Sequence, residues 1–413
     1  MPARSLNPNT FTVGEAVAAA LENNLEIHGA ARRLSLAQMK TSTARSLDDP
    51  MLQVRDWETP VTKPWDLNQA QLMVMVQQTF PNRQKREMRA RLVEDDASVT
   101  ASDLETLRQD VAAEVRKLCA DLIRNSDEMT LHERQESLLK EALAVALVQY
   151  TTGKVPQADV LRAQMALTRL SEHLIELDEE RDTARAQLNV LMGRRPDDAI
   201  EIAGSYTESA ALPSLAELEQ AAMEHRPELA ALRAQRSKSK NESKMTQLAM
   251  KPDFTAGLGY MLMPAGSSAR NAYMAELAFN LPQLNRARHE NETKQAVAAT
   301  DVTQAELDAR ATAVFLEIRE AQIAVLSAEK RVKLYRDTLL PQAEASFKAS
   351  TAAYQNNRAE FMSLIDAQNL LLDVETATYK ASAATDAGMA QLERAIGEPV
   401  ADAMNRDKER TSK

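Results

Sequence analysis

The residues of this chain that could carry chemistry are few and poorly grouped for it. His28, His132, His173, His225 and His289 show no HxxxH or HExxH spacing, the pattern that sets two imidazoles on one helix face around a metal. They fall on polar helix faces and read as solvated. Cys119 is the single cysteine, so no intramolecular disulfide can form, and its helical surroundings mark it as a small packed side chain. Met73, Met75, Met261, Met263 and Met274 offer soft thioether sulfur of the kind Cu(I) takes, or simply apolar filler. No nucleophile elbow, phosphate loop or metal-ligand spacing occurs, and neither an enzyme nor a resident cofactor is expected. Asp159 and Asp366 remain, each read as an acid in the first turn of a helix, where a carboxylate complements the dipole.

These two aspartates lie in matching segments, YTTGKVPQADVLRAQ (150–164) and YQNNRAEFMSLIDAQ (354–368). In both, a long helical pattern ends in Tyr, a short polar stretch follows, and a new helix opens toward an Ala-Gln pair. They read as twin hairpin tips. Tyr150 and Tyr354, Gln164 and Gln368, Leu188 and Leu392, and Gly193 and Gly397 share one interval (354 − 150 = 204). Upstream, Glu15 and Glu217, Glu22 and Glu224, Glu26 and Glu228, and Pro50 and Pro252 share another (217 − 15 = 202), and Pro81 and Pro282 differ by 282 − 81 = 201. The chain is one large unit copied once, with a period far above the roughly 20 to 50 residues of solenoid repeats.

The elements that must position the tips follow from periodicity. Thr12 with Glu15, and Ser214 with Glu217, form capping boxes that open helices; the first carries Val17, Leu21 and Leu25 and is expected to continue to about Ala44. The period then drops to two. Met51–Thr59 and Gln69–Phe80 read as strands, with Leu72, Val74 and Val76 on one face and Met73, Met75 and Gln77 on the other. In the second copy Phe254, Ala256, Leu258, Tyr260 and Leu262 alternate with Thr255, Gly257 and Gly259, and Tyr273, Ala275, Leu277 and Phe279 alternate with Met274, Glu276 and Ala278. Such a hairpin fits either a transmembrane barrel, whose strands need roughly 9 to 11 residues, or an ordinary soluble hairpin packed on helices.

After Pro81 and Pro282 come the longest segments, 82–150 and 283–354, free of Gly and with Pro341 the one interior proline. At 1.5 Å per residue the first reaches on the order of 100 Å. The second carries a heptad seam of Leu307, Ala311, Val314, Ile318, Ala321, Val325, Ala328, Val332, Tyr335 and Leu339. Each helix turns at its tip and returns, with Gly193 and Gly397 as C-terminal caps. Residues 194–213 read as a linker beside the helices, and the charged tail after Pro399 as disordered. Arg83, Lys85, Arg86, Arg89, Arg91, Arg286 and Arg288 place cations at helix N-termini against the dipole. A barrel rim at anionic headgroups, acids from a neighbouring helix, or a solvated charged face would each accommodate them, and the solvated face is expected.

Composition agrees with long helices: 10 Gly, 15 Pro and 4% aromatic residues in 413. The net charge of −10 argues against nucleic acid as a partner. No run of about 18 apolar residues supplies a transmembrane helix. The start, MPARSLNPNTFTVGEA, lacks the apolar core of a secretory signal; the chain is expected to be a mature or truncated form, or one that stays in the cytoplasm.

This duplicated plan of helix, strand hairpin, very long helix, tip and returning helix resembles the outer-membrane factor family, the TolC-like exit ducts of efflux and type I secretion systems. The resemblance spans Thr12 to Gly397, and the twice-carried tip motif is its most specific part. DPMLQVRDWETP followed by VQQTFPNRQKR is similar to the heavy-metal branch, which serves cation-exporting pumps of the resistance-nodulation-division type.

The resemblance implies a mainly α fold of internally duplicated coiled-coil hairpins, with two β-hairpins contributing to a shared trimeric transmembrane barrel. The division it implies is an N-terminal segment and helix (1–49), a barrel hairpin (50–81), a tunnel hairpin (82–192), a linker (193–213), a helix (214–250), a second barrel hairpin (251–282), a second tunnel hairpin (283–396) and a tail (397–413). It implies a homotrimer in the Gram-negative outer membrane, reaching into the periplasm and working with a periplasmic adaptor and an inner-membrane pump. It also implies a periplasmic gate of Asp159, Tyr354, Ser363 and Asp366, and an adaptor-docking tip of Tyr150, Gly153, Lys154, Asn357 and Arg358. Ser363 stands where relatives often have another aspartate, and Ala359 where an arginine can link the tips, which implies a less acidic, less tightly latched gate. The alternatives are a non-conducting soluble coiled-coil interaction protein, and the same duct serving drugs or secreted polypeptide.

Overall fold

The computed structural model describes residues 9–57, 61–62, 66, 71–206, 212–356, 358 and 360–402. The first copy runs β1 (Thr10–Thr12), α1 (Val13–Asn23), α2 (Leu25–Arg45), β2 (Met51–Trp57), β3 (Gln71–Phe80), α3 (Arg83–Thr151) and α4 (Gln157–Leu191). The second repeats the order as β4 (Glu201–Ala203), α5 (Leu215–His225), α6 (Pro227–Leu248), β5 (Phe254–Leu262), β6 (Asn271–Phe279), α7 (Arg286–Leu334), α8 (Leu340–Gln355) and α9 (Phe361–Ile396). Together, α7 and α8 are the counterpart of α3, separated by a π-helical turn at Tyr335–Leu339. Pro341 lies just beyond that turn; it has no N–H for the helix ladder and its ring crowds the carbonyl four residues back, so the winding loosens there.

The chain divides into two compact units. One comprises residues 1–29, 105–227 and 311–413. Both expected capping boxes are present in it, with the Thr12 and Ser214 hydroxyls accepting from the N–H groups of Glu15 and Glu217 and those carboxylates accepting back. The N-terminal helix does not run on to Ala44 unbroken: it breaks at Asn24, a buried residue whose Oδ1 accepts from the N–H groups of Glu26 and Ile27 and so starts α2. The linker contributes a strand, since β4 pairs in parallel with β1 through Thr10–Glu201, Phe11–Ile202 and Thr12–Ala203.

Helix ends in this unit are tightly built. Gly193 (φ 69°) and Gly397 (φ 85°) are both left-handed caps. A side chain at Gly193 would place its Cβ 2.4 Å from the Asn23 carbonyl oxygen, and one at Gly397 would come within 2.8 Å of the His225 carbonyl. The centre of the seam is buried at Val314, Ile318, Ala321, Val325 and Ala328. Gly388 of α9 lies so close that an added Cβ would meet Val325 Cγ2 at 3.0 Å. Cys119 is buried, and desolvation pushes its thiol up to about 12. Past Gly397 residues 400–402 are helical, with Val400 buried and its N–H donating to the Glu393 carboxylate; the rest of the expected disordered tail lies outside the described residues.

The other unit comprises residues 30–104 and 228–310. Its four strands form one antiparallel sheet in the order β2-β3-β5-β6, so the two hairpins are joined through β3 and β5, from Leu72–Leu262 to Phe80–Phe254. Alternation sorts the sheet into two faces. Leu52, Val54, Val74, Val76, Phe254, Leu258, Tyr260, Tyr273, Leu277 and Phe279 share one face and are exposed, Leu258 to 72% and Tyr273 to 91%. The opposite face holds Gln71, Met73, Met75, Gln77, Thr79, Thr255, Gly257, Gly259 and Glu276, with Met73 and Met75 buried. Gly259 is glycine because a Cβ would lie 3.0 Å from Met75 Cβ and from the Val74 carbonyl. At the sheet's end Asp253 accepts from the Asn82 N–H at 2.7 Å and from Lys85 Nζ at 2.8 Å, capping the start of α3. Lys85 is therefore buried and paired rather than solvated, while Arg83, Arg286 and Arg288 pair with acids one turn on in their own helices.

Candidate functional site

The two tips use one backbone device. Beyond α3, Gly153 adopts φ 73°; its N–H donates to the Tyr150 carbonyl at 2.9 Å, and the Lys154 N–H donates to the Gln149 carbonyl at 2.8 Å. These are the paired bonds of a Schellman turn, which needs a residue free to enter the left-handed region. At the second tip the Arg358 N–H donates to the Ala353 carbonyl at 2.8 Å, the equivalent long bond. Tyr150, Gly153, Lys154 and Arg358 are exposed. Asn357 and Ala359 lie outside the described residues.

Tyr354 behaves differently from its twin Tyr150. It packs against the apolar cluster of Leu139, Ala163, Leu170 and Ile365, and its hydroxyl donates to Gln149 Oε1 at 3.1 Å. A side chain of the second tip is thus tied to the last turn of α3. Burial, and then the nearby Asp159 charge, hold the Tyr354 hydroxyl above the ordinary phenol range, so it stays a donor across neutral pH. Asp159 is the third residue of α4, largely buried, with Arg162 at 3.6 Å.

Ser363 and Asp366 occupy the exposed side of α9. Asp366 falls in the second turn, and the first turn of α9 holds no acid. The helix dipole therefore accounts for Asp159 but not for Asp366, because its effect fades beyond the first turn. Tyr354 and Asp159 are brought together, whereas Ser363 and Asp366 are presented outward.

The structure also assembles groups that spacing alone did not reveal. His132 is 3% exposed, contrary to the expected solvated histidines. Desolvation, then the charges of His173 and Lys380, push it down to about 4. It meets the His173 ring edge-on at 4.6 Å, and Glu128 lies beside both. A helix-period pairing of Glu128 with His132 is visible in the sequence, but His173 comes from the returning helix. Arg226 is a second omission: 1% exposed, it donates through Nη1 to the Ala395 carbonyl at 3.0 Å and pairs through Nη2 with Glu317.

The arrangement, two helical hairpins with reversing tips and a four-stranded sheet apolar on its exposed face, is the fold of TolC-like outer-membrane channels. It superposes on the outer-membrane channel OprN with a TM-score of 0.79 at 17% identity, covering 94% of this chain and 90% of that one. With the outer membrane protein VceC of Vibrio cholerae the TM-score is 0.76 at 18% identity, covering 94% and 96%. The cobalt-zinc-cadmium resistance protein CzcC of Cupriavidus metallidurans is 22% identical over 385 residues, 91% of this chain and 89% of that protein. The model of the outer membrane efflux protein family matches residues 218–398 of this chain.

Proposed function

We propose that this chain is one subunit of a homotrimeric efflux duct of the Gram-negative outer membrane. The observation that carries the proposal is the sheet: an apolar face left open across all four strands, backed by a face of Gln, Thr, Gly, Met and Glu. A soluble hairpin packed on its own helices would bury the first face; a barrel turns it to lipid and the second to an aqueous lumen. Three four-stranded sheets then close one barrel, and closure removes the free edges of β2 and β6.

The domain division follows: hairpins 50–81 and 251–282 form the barrel wall, and hairpins 82–192 and 283–396 form the periplasmic tunnel. The tips close that tunnel. Asp159, Tyr354, Ser363 and Asp366 form the gate, and acids repeated around a threefold axis raise one another's pKa and favour cations in the pore. Tyr150, Gly153, Lys154, Asn357 and Arg358 meet a periplasmic adaptor, which couples the duct to an inner-membrane pump of the resistance-nodulation-division type. Conduction is passive. The similarity to a cobalt-zinc-cadmium resistance protein supports divalent heavy-metal cations as the cargo.

Single-channel recording of the purified chain in planar bilayers, with the subunit count taken on the same sample by native mass spectrometry, tests this reading. Cation-selective currents from a trimer are expected. A folded monomer that needs no detergent and carries no current would overturn it.

A further inference from the structure

We propose that Glu128, His132 and His173 form a binding site for a divalent transition-metal cation of the zinc or cobalt class, set in the first helical hairpin. One ligand atom from each lies within 4.8 Å of the others. Glu128 and His132 are one turn apart on α3 and so share a face, and His173 approaches from α4. A tetrahedral ion with bonds of about 2.0–2.1 Å needs these atoms only modestly closer together.

The site is built for a ligand it would satisfy. Glu128 is 0% exposed; one carboxylate oxygen accepts from Arg124 Nη1 at 3.0 Å, and the other, Oε2, has no hydrogen-bond partner. His132 is buried, and neither Nδ1 nor Nε2 has a partner. Buried polar atoms are normally paired, so a buried carboxylate oxygen and a buried imidazole left without partners beside His173 call for an occupant. Apolar packing of the two imidazole rings accounts for their edge-on contact but leaves those atoms unsatisfied.

The surrounding groups resemble a metal's outer shell. His173 Nδ1 lies 3.0 Å from the Glu176 carboxylate; if that nitrogen carries the proton, the Nε2 lone pair is left free, the carboxylate–histidine arrangement that orients metal-bound imidazoles. Two imidazoles and one carboxylate suit zinc or cobalt better than calcium or magnesium. Arg124 and Lys380 oppose a cation, while Glu128, Glu176 and Glu180, the last paired with Arg124 at 2.9 Å, offset them. Three protein ligands leave a fourth position open, and the partly exposed His173 side chain gives a route in. The second copy has Ala377 at the place of His173, so the site is an addition to the first copy and not part of the repeated architecture.

The site stands independently of the duct's cargo, and its test needs no transport. The metal-stripped full chain in detergent is titrated with Co(II), read by visible d–d absorption, and with Zn(II) against a chromophoric chelator. One equivalent per chain is expected, with the intense bands of four- or five-coordinate cobalt. His132→Ala and His173→Ala should each weaken binding at least about 100-fold, and Glu176→Gln about 10-fold, as for lost outer-shell partners. His28→Ala, an exposed histidine elsewhere, should change nothing. Binding by the unaltered chain no tighter than by His173→Ala, or a loss shared by His28→Ala, would overturn the site. Since His173 is partly exposed, its variant keeps the test decisive even if His132→Ala fails to fold, with far-UV circular dichroism as the check.

Discussion

Asn24 and Arg226 hold equivalent carbonyls in the two copies. Asn24 Nδ2 donates to Leu191 at 3.0 Å, and Arg226 Nη1 donates to Ala395 at 3.0 Å. Each residue breaks its N-terminal helix pair and clamps the last turn of the returning helix beside a left-handed glycine. They differ in type because their second duties differ. Asn24 must also cap α2. In the second copy Pro227 is the first residue of α6; it has no N–H to cap and its φ is already helical, which frees the preceding position for a long cation that reaches Glu317.

Arg226→Met removes that cation from a buried site, taking the Nη1 donor from the Ala395 carbonyl and the Nη2 partner from Glu317. A loss on the order of 3 kcal/mol is expected, at the low end for broken buried pairs because Glu317 is one-third exposed. Asn24→Ala, which removes a cap and one bond, should cost about 1–2 kcal/mol. Thermal unfolding monitored by circular dichroism ranks the two; equal losses would refute the division of labour.

The tip glycine is needed for its backbone angle alone, since nothing lies within 4 Å of a Cβ built on Gly153. Gly153→Ala should therefore cost about 1–2 kcal/mol, and Gly153→Asn less, Asn being the residue at the matching place in the second tip. Gly193→Ala adds a collision with the Asn23 carbonyl and should lower the melting temperature further than either.

If the exposed sheet face meets lipid, Leu258→Arg places a charge there at a cost of about 2–4 kcal/mol near the bilayer midplane. Heat-stable trimers in outer-membrane extracts should fall sharply, whereas Gln77→Arg on the opposite face should assemble. Normal assembly of the Leu258 variant would remove the barrel.

For the gate, Asp159→Ala combined with Asp366→Ala should raise single-channel conductance and weaken cation selectivity. Tyr354→Phe cuts the bond to Gln149 and should raise open probability while leaving selectivity intact. Unchanged currents in both variants would take these residues out of the gate.

Glu375 tests the helical core through pH. Desolvation first, and then the Glu344 charge, raise its pKa in the folded chain, against a lowering by Arg134. A carboxyl raised on folding destabilises the native state above its folded pKa, and that penalty vanishes as pH falls below the unfolded value. Glu375→Gln should thus raise the melting temperature at pH 7 and make little difference well below pH 4.5, the unperturbed value. A gain that grows on acidification would contradict the burial argument.

Much of this protein is determined locally and was legible residue by residue. Capping boxes at Thr12 and Ser214, the alternation of β3, β5 and β6, the seam through Val314 and Val325, and the glycine caps each depend on neighbours within a turn or a pleat. Local rules of helix and strand geometry act on them directly, and the duplication shows the capping boxes and the glycine caps twice. What tertiary structure alone decided depends on groups far apart in the chain. The two hairpins pair through β3 and β5, the linker strand β4 joins β1, and Asp253 takes Lys85 out of water. His173 reaches a buried His132 from another helix, and Tyr354 bonds to the opposite tip. None of these has a sequence period, because burial and the partner of a polar group are set by which elements meet, and long-range packing makes that choice.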